Sequence, residues 1–439
     1  MLNSYVKLKK EILMSKNLKK PLISIVLVII FIISVFYTIA KFKQKTEHQT
    51  YSEKSEPIDI AKLRALPYIG SVDIQLGDKN GVSVYKKNDS YPGYNLYSIR
   101  ALSTAELIDM EGNIINSWSF STSEFWSNVE LLPNGDLLVV GARPPTEQET
   151  KDEYEGGNPK NRYLLRFDWK GNLLWKKTLP AHHDVELSPD GNILVLSLNR
   201  KIIPEIHSET IVQDQMLVML DQGGNLIESK SLYDAVKNSN DIFPLQKVEV
   251  NRKRNLIDLF HANSIEKMQY EHLAKIHPIY NLDNIIVCAC TQDRITIINW
   301  PDNKVIWTWG QNIVSGPHDA SLLENGHILL FDNGIGRKAS RIIELNPITK
   351  KIVWQYQADP PTDFYTRARG SAQRLMNGNT LVAESDKGRA FELTPDGKIV
   401  WDFLCPHEIE KGRRATIIRM KRYPIQLIHK IIKNNELDN

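Results

Sequence analysis

The chain has 439 residues, 42% of them hydrophobic and 24% charged, and carries a formal net charge of +3. That length supports a large buried core and room for more than one domain, whereas the near-balance of charge excludes the concentrated basic face of a nucleic-acid-binding protein. Three cysteines (Cys288, Cys290 and Cys405) exclude a disulfide framework; Cys288 and Cys290 alternate in a strand-like run, which suits small buried hydrophobes.

Taken in chain order, residues 1–20 form a basic tail. It holds Lys7, Lys9, Lys10, Lys16, Lys19 and Lys20 against the single acid Glu11, and Met14 offers a second start. Residues 21–40, PLISIVLVIIFIISVFYTIA, carry no charge over a stretch long enough to cross a bilayer as a helix. The lysine bias predicts a single-pass signal-anchor with the N-terminus cytoplasmic and the rest extracytoplasmic, either periplasmic or at the cell surface. A cleaved signal peptide would have a shorter apolar core ending in a small-x-small site. Residues 41–92 read as a polar stalk and the approach to the first repeat.

Residues 93–403 repeat one pattern. A turn rich in Asn, Asp and Gly precedes a short apolar strand in LLPNGDLLVVG, LSPDGNILVLS, LLENGHILLFDNG and RLMNGNTLVAES. A second half, strand–turn–strand, ends at Trp118, Trp175, Ser229, Trp307, Trp354 and Trp401. Asn-Gly and Asp-Gly between alternating apolar runs are hairpin signals. Six second halves at intervals of roughly 40–65 residues match the period of a four-stranded blade, which cannot bury its faces alone. The expected fold is all-β: a six-bladed β-propeller after one transmembrane helix. The repeated Trp suits packing between blades. Residues 142–162 are a polar surface excursion, and residues 404–439 read as a closing strand and a short basic helix.

Laying the repeats over each other brings out three histidines. His183 opens HDVEL and lies eight residues before Gly191; His318 opens HDASL and lies eight before Gly326. His261 opens HANSI, with an apolar residue four places later as in the other two. The third, fourth and fifth blades thus place a histidine at the entry to the first strand, where Ser127 and Gly370 stand in the second and sixth. First strands line a propeller's channel, so the three imidazoles are expected at one mouth. The Asp after His183 and His318 either fixes a ring tautomer or bonds backbone. Three imidazoles suit nucleophile, acid and base in group transfer, or a catalytic zinc site with an open position. Nearby cations (Arg294, Arg337, Arg341, Arg367 and Arg369) favour an anionic substrate such as a sulfate or phosphate ester.

The runs AHHDVELSPDGNILVL, DLFHANSIE, PHDASLLENGHILLFDNG and FYTRARGSAQRLMNGNTLVAES resemble the bacterial arylsulfate sulfotransferases, over roughly residues 93–403. The resemblance implies a six-bladed extracytoplasmic propeller that moves a sulfuryl group from an aryl sulfate to a phenol, without cofactor. It casts His318 as the nucleophile that becomes sulfohistidine. His261 then holds the sulfuryl group or protonates the leaving phenolate, and His183 lines the site. The family's sulfuryl-binding arginine aligns with Cys290, so Arg337, Arg369 or Arg294 is expected to bind the anion. Loss of a positioned charge donor costs on the order of 3 kcal/mol at a transition state. Two other classes remain open: a non-catalytic ligand- or partner-binding propeller, and a three-histidine metal enzyme. Expected partners are aryl sulfates, phenols and the membrane, with no nucleic acid; a homodimer is left open.

Overall fold

The computed structural model describes residues 70–74, 77, 79–146, 159–252 and 255–437. The expected anchor at residues 21–40 lies outside them, and no helix among the described residues is long and apolar enough to cross a membrane. The chain divides into two compact units, residues 1–62 and 63–439, of which only the second contains described residues.

The second unit is mostly β and propeller-like. Among the described residues, six antiparallel sheets each contain a four-strand meander. The second sheet runs Phe125–Leu131, Leu137–Ala142, Arg162–Phe167 and Leu173–Lys177. The third runs Ala181–Leu187, Ile193–Ile203, His207–Leu220 and Leu226–Ser231, with Leu256–Asp258 added in parallel. The fourth begins at Ala262–Lys267, the fifth at His318–Leu322 and the sixth at Ser371–Arg374. In the first sheet the innermost strand is Ile417–Tyr423, paired antiparallel with Tyr94–Ile99. The two ends of the unit therefore share one sheet.

Glycine sets the hairpins. Gly191 and Gly326 sit at φ +81° and +84°, where a side chain would be strained, so the turn between first and second strands needs them.

The repeated Trp has a specific task. Each indole N–H reaches a turn carbonyl of the next sheet: Trp118 to Asp168, Trp307 to Pro347, Trp354 to Pro395 and Trp401 to Met110, all at 2.9 Å, and Trp175 to Gln222 at 3.3 Å. The Trp401 bond joins the sixth sheet to the first. Apolar cores lie between neighbouring sheets. Trp118, Trp126, Tyr163 and Phe167 fill the space between the first and second; Tyr97, Leu381, Trp401 and Ile417 fill that between the sixth and first. A sheet that is apolar on both faces is covered on both by its neighbours. The helix Ile425–Leu437 buries Ile428 and Ile431 on the first of these cores.

One sequence expectation shifts. Residues assigned to the stalk supply two strands: Gly81–Tyr85 pairs with Ile399–Leu404, and Ser71–Asp73 pairs with Arg413–Ala415. An open outer strand of the sixth sheet takes up a passing extended segment, which satisfies its edge hydrogen bonds.

Candidate functional site

The innermost strands are stitched side chain to backbone, and the stitches define a common register. Asp184 accepts from Ile265 N–H at 2.9 Å, Ser264 from Ala320 N–H at 3.0 Å, Asp319 from Ala372 N–H at 2.9 Å and Ser371 from Met420 N–H at 3.4 Å. Two residues further on, Glu186 accepts from Lys267 N–H, Glu266 from Leu322 N–H and Gln373 from Arg422 N–H. By this ladder Asp184, Ser264, Asp319, Ser371 and Arg419 are equivalent positions.

His183 and His318 accordingly stand in register, each one residue before the ladder. His261 does not: Asn263 occupies its expected place, and His261 lies two residues earlier. In an alternating strand a slip of two leaves the apolar-polar pattern unchanged, so the pattern in HANSI could not reveal it. The ring still arrives. His261 takes φ +44° and His183 φ +61°, and their ring centroids lie 4.7 Å apart. His182 also packs against His183, with centroids at 4.6 Å.

His318 is buried, and its hydrogen bonds fix its tautomer. Nδ1 lies 3.0 Å from Gly316 O and 2.7 Å from Asn333 Oδ1. The Asn333 amide nitrogen is already donating to Thr366 O and Arg369 O, so its oxygen faces the ring. Both neighbours of Nδ1 are acceptors; Nδ1 therefore carries the hydrogen and Nε2 keeps its lone pair. Nε2 accepts the Arg369 backbone N–H at 3.2 Å. Burial, together with the nearby His261 and Arg419, pushes the His318 pKa down to about 3, against the opposing bonds to Gly316 and Asn333. At neutral pH the ring is uncharged.

His261 has a different partner. Its Nδ1 lies 2.5 Å from Asp258 Oδ2, and Gln213 Nε2 donates to Asp258 Oδ1 at 3.1 Å. Burial alone would raise the Asp258 carboxyl, but the adjoining His261 holds it well below the usual carboxylate range. The acceptor at Nδ1 places the ring hydrogen there and leaves Nε2 as the other His261 nitrogen open to a ligand. His183 is held neutral by burial and by the neighbouring His182, His261, Arg162 and His318. The Asp after His183 and His318 bonds backbone of the next sheet, as the ladder shows; Asp258 and Asn333 hold Nδ1 of His261 and of His318.

The expected anion-binding arginines part company. Arg294 is buried, with its guanidinium bonded to Pro244 O and Gln311 and its carbon 4.6 Å from the centre of the Phe243 ring, so it braces a loop. Arg337 and Arg341 both pair with Asp332, at 2.5 and 2.7 Å, and that carboxylate also caps Ser315 and Gly334 N–H; they lock the turn after Phe331. Arg369 joins the site through its backbone, and its side chain reaches Thr416 Oγ1 at 3.2 Å. Cys290 brings no charge, because burial and the nearby Asp293 and Asp258 push its thiol up to about 12. Trp126, Phe260 and Phe364 are core residues. Among the described residues no three His, Cys, Asp or Glu side chains are arranged to hold a metal ion.

A guanidinium that the sequence reading did not single out, that of Arg419, stands among the histidine strands. It donates to Asp184 Oδ1 at 2.8 Å and to Asn263 O at 2.8 Å, and lies 3.3 Å from Asp319 Oδ1. Extending the repeat alignment into the closing strand, RMKRY, would have placed it opposite Asp184 and Asp319. Asp258 and Asn333 lie outside the repeat register, and only contact reveals them.

The chain is similar to several solved structures. A protein of unknown function from Bacteroides caccae is 15% identical, covering 76% of this chain and 99% of that one, with a TM-score of 0.48. Virginiamycin B lyase from Staphylococcus aureus is 12% identical over 81% and 88%, with a TM-score of 0.39. The β-propeller domain of Cps50 (Swd1) from Myceliophteria thermophila is 13% identical over 81% and 99%, at 0.41. No curated protein matches. The family model described as arylsulfotransferase (ASST) matches residues 163–405, more than half of the chain and the span that carries all three histidines. The chain belongs to the arylsulfotransferase family.

Proposed function

We propose that this protein is a six-bladed propeller that transfers a sulfuryl group from an aryl sulfate to a phenol through a sulfohistidine at His318. The observation that carries the proposal is the hydrogen-bonding of His318: a buried ring with Nδ1–H held by Asn333 and Gly316, and a lone pair on Nε2. In the first half-reaction the Nε2 lone pair attacks sulfur. The S–O bond to the aryl group breaks, its electron pair leaves on the phenolate oxygen, and His261 supplies the proton through Nε2. The Arg369 N–H already lies beside the attacking nitrogen and is placed to donate to a sulfuryl oxygen as the S–N bond forms. In the second half-reaction an acceptor phenol gives its proton to His261 and attacks sulfur. The S–N bond then breaks and its pair returns to His318.

Two imidazoles thus divide the chemistry by their partners. The neutral amide at His318 suits a nucleophile, and the carboxylate at His261 suits a group that alternately gives and takes a proton. The proposal includes tethering by residues 21–40 with the propeller outside the cytoplasm, supported by the uncharged run and the lysines before it.

The test is mass spectrometry after incubation with 4-nitrophenyl sulfate. A gain of one sulfuryl group on His318, with release of nitrophenol and its transfer on addition of phenol, is expected. Nitrophenyl sulfate bound without nitrophenol release or sulfation would instead favour a binding propeller. Protease protection of residues 1–20, but not of the propeller, in intact cells tests the topology.

A further inference from the structure

We propose that Arg419 is a positioning residue of this site: it ties the strands bearing His183, Asn263 and His318 together and neutralises two carboxylates that would otherwise repel an anionic ester. The inference rests on the sulfuryl-transfer reading and adds to it a residue outside the stretch matched by the family, which ends at 405.

The geometry is specific. One guanidinium from the strand Ile417–Tyr423 meets three different innermost strands: the third sheet at Asp184, the fourth at the carbonyl of Asn263, and the fifth at Asp319. Asp184 and Asp319 directly follow His183 and His318, and Asn263 holds in the fourth sheet the place that those two histidines hold in the third and fifth. Moving any of these strands relative to another lengthens a bond to Arg419. Asn263 is itself tied to the His318 approach, because its Nδ2 donates to Pro317 O at 2.9 Å. Asp184 also accepts from Asn128 Nδ2 at 2.7 Å, which links the second sheet.

Charge gives the second role. At this level of the channel the five ladder positions are Asp184, Ser264, Asp319, Ser371 and Arg419, with Asn128 meeting Asp184 from the second sheet, so among these positions one cation stands against two acids. The side chains of Arg419 and Asp184 are only 22% and 7% exposed. Burial already pushes the Asp184 carboxyl up to about 6 with Arg419 beside it, so removing the cation would leave Asp184 and Asp319 poorly hydrated and without their common partner beside the position a sulfate ester must reach. A lysine would be a poor replacement, because one ammonium cannot span a carboxylate on each side and a carbonyl in the plane of a fork. The groups facing His318 are His183, His261, Arg419 and the amide of Asn333, with Asp319 next in the chain.

The experiment uses the full chain and three variants: Arg419→Gln, Arg419→Lys, and Arg419→Gln combined with Asp184→Asn and Asp319→Asn. Thermal melting establishes that each is folded. With 4-nitrophenyl sulfate, Arg419→Gln is expected to raise KM by about tenfold or more, and the triple variant to return it to within about threefold of the parent. An unchanged KM in Arg419→Gln overturns the proposal. So does a folded triple variant as impaired as the single one, since Arg419 would then not act through the carboxylates. Should Arg419→Gln not fold, Arg419→Lys compared with the triple variant decides the same question. Imidazole NMR titration of His318 gives a readout independent of turnover. Loss of Arg419 should move that titration upward, because a cation is removed and Asp319 is left unpaired. A shifted titration with no sulfation in the parent defeats the transferase reading alone, whereas an unshifted one defeats the role of Arg419.

Discussion

Asn333 Oδ1 lies 2.7 Å from His318 Nδ1, while the Asn333 amide nitrogen binds the carbonyls of Thr366 and Arg369. One side chain therefore fixes both the tautomer of His318 and the segment whose N–H faces its Nε2. Removing it should harm chemistry more than stability. Asn333→Ala is expected to slow His318 sulfation roughly 10- to 100-fold, the worth of a buried hydrogen bond of about 1–3 kcal/mol. Stopped-flow release of nitrophenol in a single turnover checks this.

Asp258 orients His261, so its loss should depend on the leaving group. Asp258→Asn is expected to reduce transfer from sulfates of weakly acidic phenols by on the order of a hundredfold or more, and transfer from nitrophenyl sulfate much less. A plot of log kcat/KM against leaving-group pKa should steepen. An equal loss for all donors would place His261 outside proton transfer.

The low pKa of His318, about 3, sets a pH expectation. The ring stays neutral through the range where free imidazole protonates, so sulfation by nitrophenyl sulfate, which needs little help in leaving, should not fall between pH 7 and 5. Stability should move the other way. Below about pH 6.5 the unfolded chain binds a proton at His318 that the folded chain refuses, so this residue's contribution declines as pH falls toward 3. Burst rates and melting temperatures over that range separate the two effects.

Glu266, in the channel below the histidines, is raised above its ordinary pKa by burial, against the bond from Leu322 and the charge of Lys421. The folded state then binds more protons than the unfolded state from the ordinary carboxylate range upward. This residue's contribution to stability should accordingly fall as pH rises from about 4.5 through about 8, and Glu266→Gln should remove that part of the slope. Calorimetric melts at successive pH values test it.

Ring closure gives a stability prediction. Trp401 is fully buried and donates to Met110 O at 2.9 Å across the seam between the sixth and first sheets. Trp401→Ala should cost about 3–5 kcal/mol through the cavity it leaves, whereas Trp401→Phe should cost about 1–2 kcal/mol for the lost bond and the smaller ring. Urea unfolding curves measure both.

Much of the architecture is written in local pattern. Hairpin turns at Gly191 and Gly326, alternating strands and the repeated Trp depend on near neighbours in the chain, and the turn glycines and strand pattern can be recognised one repeat at a time. The placement of His183 and His318 follows from the same spacing, because each is counted from its own turn. The sequence alone thus determined the repeat and two of the three imidazoles in register.

Tertiary structure decided the rest. His261 sits two residues off register, a slip that alternation conceals, and reaches His183 only because the backbone before the fourth sheet turns through a positive φ. Arg294 and Arg337 have the right charge near the right motifs, yet loops and Asp332 claim them. Asp258 and Asn333 meet His261 and His318 at strand ends, 3 and 15 residues away, where repeat spacing gives no sign of them, and the contacts of Arg419 form only where separate sheets meet around one axis. A hydrogen bond between residues far apart in the chain depends on distance and direction in space, and neither is encoded in the spacing of a single repeat.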